Sequence, residues 1–189
     1  QHVSQFAREQ TASTFMVLLA AFQSLLSRYS GDEDILVGTP IANRTRPEIE
    51  HLIGLFANTL VLRGNLAGNP SFAELVRRVK QTALDAYAHQ DMPFEKLVEE
   101  VNPERSLSRN PLFQVMFSLQ NAAPQAFQLS GVELQLLEAP AETAKFDLSV
   151  FLSDTEQGIR GRVEYNTDLY DKETIERLWG HYVTLLEAA

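Results

Sequence analysis

Residues 53–64 read IGLFANTLVLRG, and how this stretch pairs decides the fold. Its alternation predicts a strand, with Ile53, Leu55, Ala57, Thr59 and Val61 on one face and Phe56, Asn58, Leu60 and Leu62 on the other. Asn58 breaks the pattern, because an amide on an apolar face must find partners or cost about 1–3 kcal/mol. Those partners are either backbone groups of the same protein, the commoner case, or a ligand.

Working outward, DILVGTPIA at 34–42 reads as a short buried strand ended by Pro40, and NRTRPEIE at 43–50 as a polar loop. Before them, Phe15, Leu18, Leu19, Phe22, Leu25, Leu26 and Tyr29 recur at helical spacing, with Ser13 or Thr14 as start signal and Gly31 as stop. After residue 64, Ser71 and Glu74 stand at capping-box spacing, and Phe72, Leu75, Val76, Val79, Ala83 and Ala86 form a helical stripe. Pro93 interrupts that register and suits the first turn of a separate helix, PFEKLVEEV, so HQDM at 89–92 is a corner between helices.

Further along, PLFQVMFSLQ at 111–120 alternates as a half-buried strand, with Phe113, Val115, Phe117 and Leu119 on one face. VELQLLE at 132–138, KFDLSVFLSD at 145–154 and IRGRVEYN at 159–166 repeat the period of two, the last two as a hairpin. A last helix starts at Asp171, with Ile175, Leu178, Trp179, Tyr182 and Leu186 inward. The pattern predicts an α/β fold of the α+β kind, a two-layer sandwich in which helices cover one face of a mixed sheet.

At 189 residues the chain has the size of one domain, 1–189, able to bury roughly 70% of its unfolded surface. With no cysteine, disulfides, zinc thiolates and thiol nucleophiles are excluded, and a reducing, cytoplasmic setting is expected. A net charge of −9 with scattered basic residues argues against nucleic acid as a partner. The longest apolar run, FMVLLAAF at 15–22, is too short to span a membrane. The chain starts without methionine and its last helix runs to Ala189, as expected of a piece of a longer polypeptide.

The usual enzyme signatures are missing. His2, His51, His89 and His181 show no metal-ligand spacing, so no metal is expected, and no GxSxG, Walker or GxGxxG motif occurs. His89 and Asp91 could form an acid–base pair, since a carboxylate fixes an imidazole's tautomer. At a helix junction the simpler reading is structural: Asp91 caps free N–H groups, His89 serves free carbonyls, Phe94 anchors in the core and Glu95 suits the helix dipole. In RSLSRNPL at 105–112, Arg109 is either a surface residue or a guanidinium that reaches back to acceptors and fixes the loop.

In order and spacing, IGLFANTLVLR at 53–63, HQDMPFE at 89–95 and RSLSRNPL at 105–112 resemble the later motifs of the condensation domains of non-ribosomal peptide synthetases. The likeness extends over essentially the whole chain. It implies a chloramphenicol-acetyltransferase-like lobe, the C-terminal half of a domain whose substrate tunnel lies between two lobes. The family's HHxxxDG motif belongs to the other lobe, and no HH pair occurs here; the catalytic histidine is therefore expected outside this chain, and the chain alone is expected to be inactive.

The resemblance also implies the chemistry: an acceptor amine attacks a donor thioester, both substrates being carried on phosphopantetheine arms of carrier proteins, with no cofactor held directly. The expected partners are the N-terminal lobe, the upstream and downstream peptidyl carrier proteins and an adjoining adenylation domain. Asn58 matches the asparagine of the family's IGxFVNT motif and is expected to line the channel. His89, Asp91, Pro93, Phe94, Glu95, Arg105, Arg109, Asn110 and Pro111 are expected to be architectural. Ala57 stands where valine is usual, and Ser106 where an acid often follows Arg105, so no Arg–acid pair carries over there. The alternative is a catalytically idle module that binds carrier proteins or other partners.

Overall fold

Helix α2 (Thr14–Ser30) organises the chain, and its sequence explains why. Ser13 accepts a hydrogen bond from the Met16 N–H at 3.3 Å, and Gly31 ends the helix at φ 80, where a side chain would be strained. Between those signals Met16 through Gln23 are all buried, so the helix is enclosed all round. In the computed structural model, which describes residues 2–103, 109–120, 143–155 and 158–188, α2 lies between the sheet and three other helices.

Those helices are α1 (His2–Glu9), α4 (Phe72–Ala88) and α6 (Lys172–Ala188), with α3 (Pro47–Glu50) and α5 (Phe94–Val101) placed elsewhere. The described strands are β1 (Asp34–Ile41), β2 (Asn58–Asn65), β3 (Val115–Gln120), β4 (Leu148–Thr155) and β5 (Gly158–Tyr165). They lie in the order β2-β1-β3-β4-β5. The outer pairs are antiparallel and the inner pairs β1/β3 and β3/β4 parallel, so the sheet is mixed as expected. Ile35, Val37, Leu62, Phe117, Leu148, Val150 and Leu152 face α2, α4 and α6 and form the main core. There Phe22 stacks on Phe117 at 5.1 Å, and the Tyr182 hydroxyl donates to the Leu18 carbonyl at 2.9 Å. Burial pushes the pKa of that phenol up.

Several expectations need correction. Residues 53–57 are not strand: β2 starts at Asn58, which pairs with Ile41, the last residue of β1, so the earlier residues have no ladder to join. Pro40 does not end β1; it pairs with Thr59, and β1 meets β3 only at Gly38, so a missing N–H near its end costs little. The 43–50 loop contains the turn α3, started by Pro47, and the first residues, left unassigned by pattern, form α1. Strand β3 is not half-buried. As the central strand it buries Met116, Phe117 and Ser118 in succession, hence on both faces. The expected strand at 132–138 lies outside the described residues.

Phe113 also moves. It precedes β3 rather than sharing its inward face, and Leu112 before it takes φ 68, a rare left-handed value. The ring lies on the sheet face away from α2, over Gly38, and joins a second cluster with Phe94 at 5.5 Å and Phe146 at 5.3 Å. A Cβ on Gly38 would fall inside that ring. Gly38→Ala is therefore expected to destabilise the fold by about 1–3 kcal/mol through overpacking, read as a lower urea midpoint; an unchanged midpoint would show that the aromatic cluster yields freely.

Candidate functional site

Three segments meet at the end of the sheet where β1 finishes and β2 begins: the turn 49–57, Asn58 and the corner 89–94. The turn is organised by Arg44, whose guanidinium donates to the carbonyls of Ile49, Glu50 and Gly54 and lies 4.4 Å over the Phe56 ring. Nothing in the sequence singled out Arg44, because an arginine in a polar loop has no pattern that announces several distant carbonyl partners.

Asn58 ties β2 to the corner. Its Nδ2 donates to the carbonyls of Gln90 at 2.9 Å and Met92 at 2.7 Å, and its Oδ1 accepts from the Phe94 N–H at 3.1 Å. That last bond caps α5 from 36 residues away. Pro93, the residue in the cap position, has no side-chain oxygen to do so. Both amide hydrogens are engaged, and one acceptor position is filled. Of the two kinds of partner the sequence allowed, the structure supplies the backbone kind.

The corner is tied internally as well. His89 closes α4, with its N–H bonded to the Ala86 and Tyr87 carbonyls. The ring Nδ1–H of His89 donates to the Asp85 carbonyl at 2.8 Å, which is the structural role expected of it. The Met92 N–H bonds to the His89 carbonyl at 3.1 Å. Asp91 is exposed and makes no hydrogen bond among the described residues, so the cap expected from it comes instead from Asn58. With His89 directed at a carbonyl, no His89–Asp91 acid–base pair forms. Phe94 anchors in the Phe113 cluster, and Glu95 sits in the first turn of α5.

In the third motif, Arg105 lies outside the described residues. Arg109 is exposed and closes no ion pair or hydrogen bond among the described residues, contrary to the fixing role weighed for it. Residues 110–114 are held by their own bonds: Asn110 Nδ2 donates to the Lys145 carbonyl at 2.9 Å, Gln114 Nε2 donates to the Asn110 carbonyl at 3.0 Å, and Pro111 accepts from the Phe113 N–H at 2.9 Å. Arg109 borders a cleft of about 510 Å³ with Tyr29, Asp34, Gln114, Asp147 and Tyr170, at the end of the sheet opposite Asn58. Burial, helped by the Asp147 charge, raises the Tyr170 pKa, and the Arg63 guanidinium bonded to Asp34 lowers that carboxyl. Among the described residues no three His, Asp or Glu side chains converge on a metal-sized site, and no helix is long and apolar enough to cross a membrane.

Comparison with known proteins agrees with this geometry. The Condensation domain family matches residues 1–189, and the chain belongs to that family. It is 54% identical over 184 residues to a linear gramicidin synthase of Brevibacillus parabrevis, covering 96% of this chain and 4% of that one. To tyrocidine synthase 3 of the same organism it is 48% identical, covering 96% and 3%. The chain thus spans only a few per cent of the length of these relatives. Among solved structures, the X-domain from teicoplanin biosynthesis superposes with a TM-score of 0.90 at 29% identity, covering 98% of this chain and 43% of that one. The condensation domain from the Monacolin K polyketide synthase MokA shares the fold with a TM-score of 0.84 at 23% identity, covering 97% and 43%. These neighbours bear out the chloramphenicol-acetyltransferase-like architecture.

Three substitutions test the assignment of the ties. Asn58→Ala removes three bonds to the corner and is expected to cost about 1–3 kcal/mol and to speed amide exchange at residues 92–97, seen by hydrogen-exchange mass spectrometry. Asn110→Ala is expected to lower the melting temperature more than Arg109→Ala, which should stay within about 0.5 kcal/mol of wild type; the reverse order would return the loop-fixing role to Arg109.

Proposed function

We propose that this chain is the C-terminal lobe of a condensation domain that forms amide bonds in non-ribosomal peptide synthesis. The observation that carries this reading is the family match over all 189 residues, joined to 54% identity with a linear gramicidin synthase. The reaction joins two carrier-bound substrates. The acceptor's amine nitrogen bonds to the donor's thioester carbonyl carbon, the C–S bond breaks, and the proton lost by nitrogen ends on the released thiol. Positioning the two thioesters in a water-poor channel supplies much of the rate, and dipoles steadying the developing oxyanion supply more.

In this reading the substrates arrive on phosphopantetheine arms of the flanking carrier proteins, an adenylation domain adjoins, and the assembly works in the cytoplasm. The catalytic histidine belongs to the N-terminal lobe. Asn58 stands at the channel wall. Since its amide is directed at Gln90, Met92 and Phe94, it acts by holding the 90–94 corner in place. His89, Pro93, Phe94, Glu95, Asn110 and Pro111 support that wall; Asp91, Arg105 and Arg109 belong to the same motifs.

The test is reconstitution. The intact condensation domain, supplied with donor and acceptor carrier proteins loaded with aminoacyl groups, is expected to yield a dipeptidyl thioester on the acceptor carrier, detected by intact-protein mass spectrometry. The 189-residue chain alone is expected to yield none. Product from the chain alone, or none from the intact domain, overturns the reading. A second reading, a partner-binding module, is favoured by one finding: the teicoplanin X-domain, 28% identical with a TM-score of 0.88, is solved in complex with OxyB. An intact domain that forms no amide yet binds a partner protein of its synthetase would support it.

A further inference from the structure

The cleft of about 510 Å³ that Arg109 borders takes no part in the junction around Asn58, which lies at the other end of the sheet. Its floor is apolar, built from Leu26, Ile35, Leu112, Leu148, Ile175 and Leu178. Its size falls within the roughly 300–1,000 Å³ of small-molecule sites, which are apolar in the main and carry a few placed polar groups. Here those groups are Arg109, Asp147 and Tyr170. The guanidinium, the carboxylate and the phenol all line the cleft, and none has a hydrogen-bond or ion-pair partner among the described residues. Asp147 nonetheless stands close enough to Tyr170 to help burial raise its pKa, so the phenol keeps its proton and can donate. The other polar groups are engaged or outside: Asp34 pairs with Arg63 at 2.7 Å, the Tyr29 hydroxyl bonds His181 Nδ1 at 2.8 Å, and Asp32 is exposed on the rim.

The backbone that carries these groups is tied together. Asn110, next to Arg109, donates to the Lys145 carbonyl, and Gln114 donates to the Asn110 carbonyl. The Asp147 N–H in turn donates to the Gln114 carbonyl at 3.1 Å, and the Asp147 carbonyl accepts from the Asn166 N–H at 3.1 Å. Arg109 and Asp147 therefore stand on one hydrogen-bonded frame, yet do not pair with each other. A guanidinium and a carboxylate held apart over an apolar floor are complementary to a ligand that carries both opposite charges and an apolar body.

We propose that this cleft is a binding site for a free α-amino acid with an apolar side chain. The ligand's carboxylate meets the Arg109 guanidinium, which can hold both oxygens in one plane, and its ammonium meets the Asp147 carboxylate. The Tyr170 hydroxyl is a further donor to the ligand's carboxylate, and the side chain covers the leucine and isoleucine floor, gaining from burial. An aminoacyl thioester has no carboxylate to offer Arg109, so the ligand is the free acid and not a carrier-bound substrate. The site is thus separate from amide formation and stands whether or not the intact domain catalyses it.

The experiment is a titration of the intact condensation domain with leucine and with phenylalanine, followed by saturation-transfer NMR, and both are expected to bind saturably. Arg109→Gln and Asp147→Asn are each expected to weaken leucine binding at least about tenfold, through the loss of one charge-assisted contact. Neither side chain has a partner to lose, so both variants are expected to melt with the parent in the absence of ligand. On the unsubstituted domain, leucinamide, N-acetylleucine and glycine are each expected to bind at least about tenfold more weakly than leucine, since each lacks one of the three recognised features. Absence of binding by both amino acids overturns the proposal. So does leucine affinity unchanged in either variant, which would place the ligand elsewhere, for instance in the substrate channel. Leucinamide, N-acetylleucine or glycine binding as tightly as leucine also overturns it, because the matching group of the cleft would then contribute nothing.

Discussion

Everything else in the structure is arranged around the burial of α2. A helix that exposes no face between Met16 and Gln23 needs a neighbour on every side, and the sheet, α1, α4 and α6 are those neighbours. One polar group is enclosed with it. Gln23 donates to the Leu62 carbonyl at 3.1 Å and fits only because Gly64 leaves room where a Cβ would collide with its amide. A residue without a side chain on β2 thus lets an amide on α2 satisfy a strand carbonyl.

The far side of the sheet is built on another principle. There a single left-handed residue, Leu112, carries Phe113 across to the face that Gly38 leaves open, and Phe94 and Phe146 close around it. This aromatic cluster is the floor on which α5 rests, and Asn58 fixes its entry. The candidate site is thus a junction held by one side-chain amide and three rings. Its parts come from positions 38, 58, 94, 113 and 146, and no local stretch of sequence contains it.

That distribution explains what could be read in advance. The helices at 14–30, 72–88 and 172–188 and the strands at 115–120, 148–155 and 158–165 were legible because each carries its own period and, for the first two helices, its own cap signal. The mixed character of the sheet followed from their order. Residues 53–57 misled because Ile53 and Leu55 continue the alternation of β2 in composition while β1 has no residues left to pair with them. Phe113 misled for a similar reason, since a backbone reversal at a leucine leaves no mark in the pattern. At the site, Asn58 stands out in the sequence as an amide that must find partners, but those partners at 90, 92 and 94 depend on tertiary geometry. Asp91 looked like the nearest cap and Arg109 like the strongest loop anchor. In both cases a neutral amide, Asn58 or Asn110, meets the backbone groups instead.

The bond from Tyr182 to the Leu18 carbonyl spans 164 residues and lies fully inside the core. Together with the parallel pairs β1/β3 and β3/β4 it makes the decisive contacts of this fold remote in sequence. Such a topology is slow to assemble, because long loops must close before the contacts that reward closure can form. During synthesis α2 emerges well before α6, and the apolar face that α6 covers stays exposed until α6 has left the ribosome. The feature that makes the finished fold rigid therefore makes its nascent form the stage at which it most needs protection from aggregation.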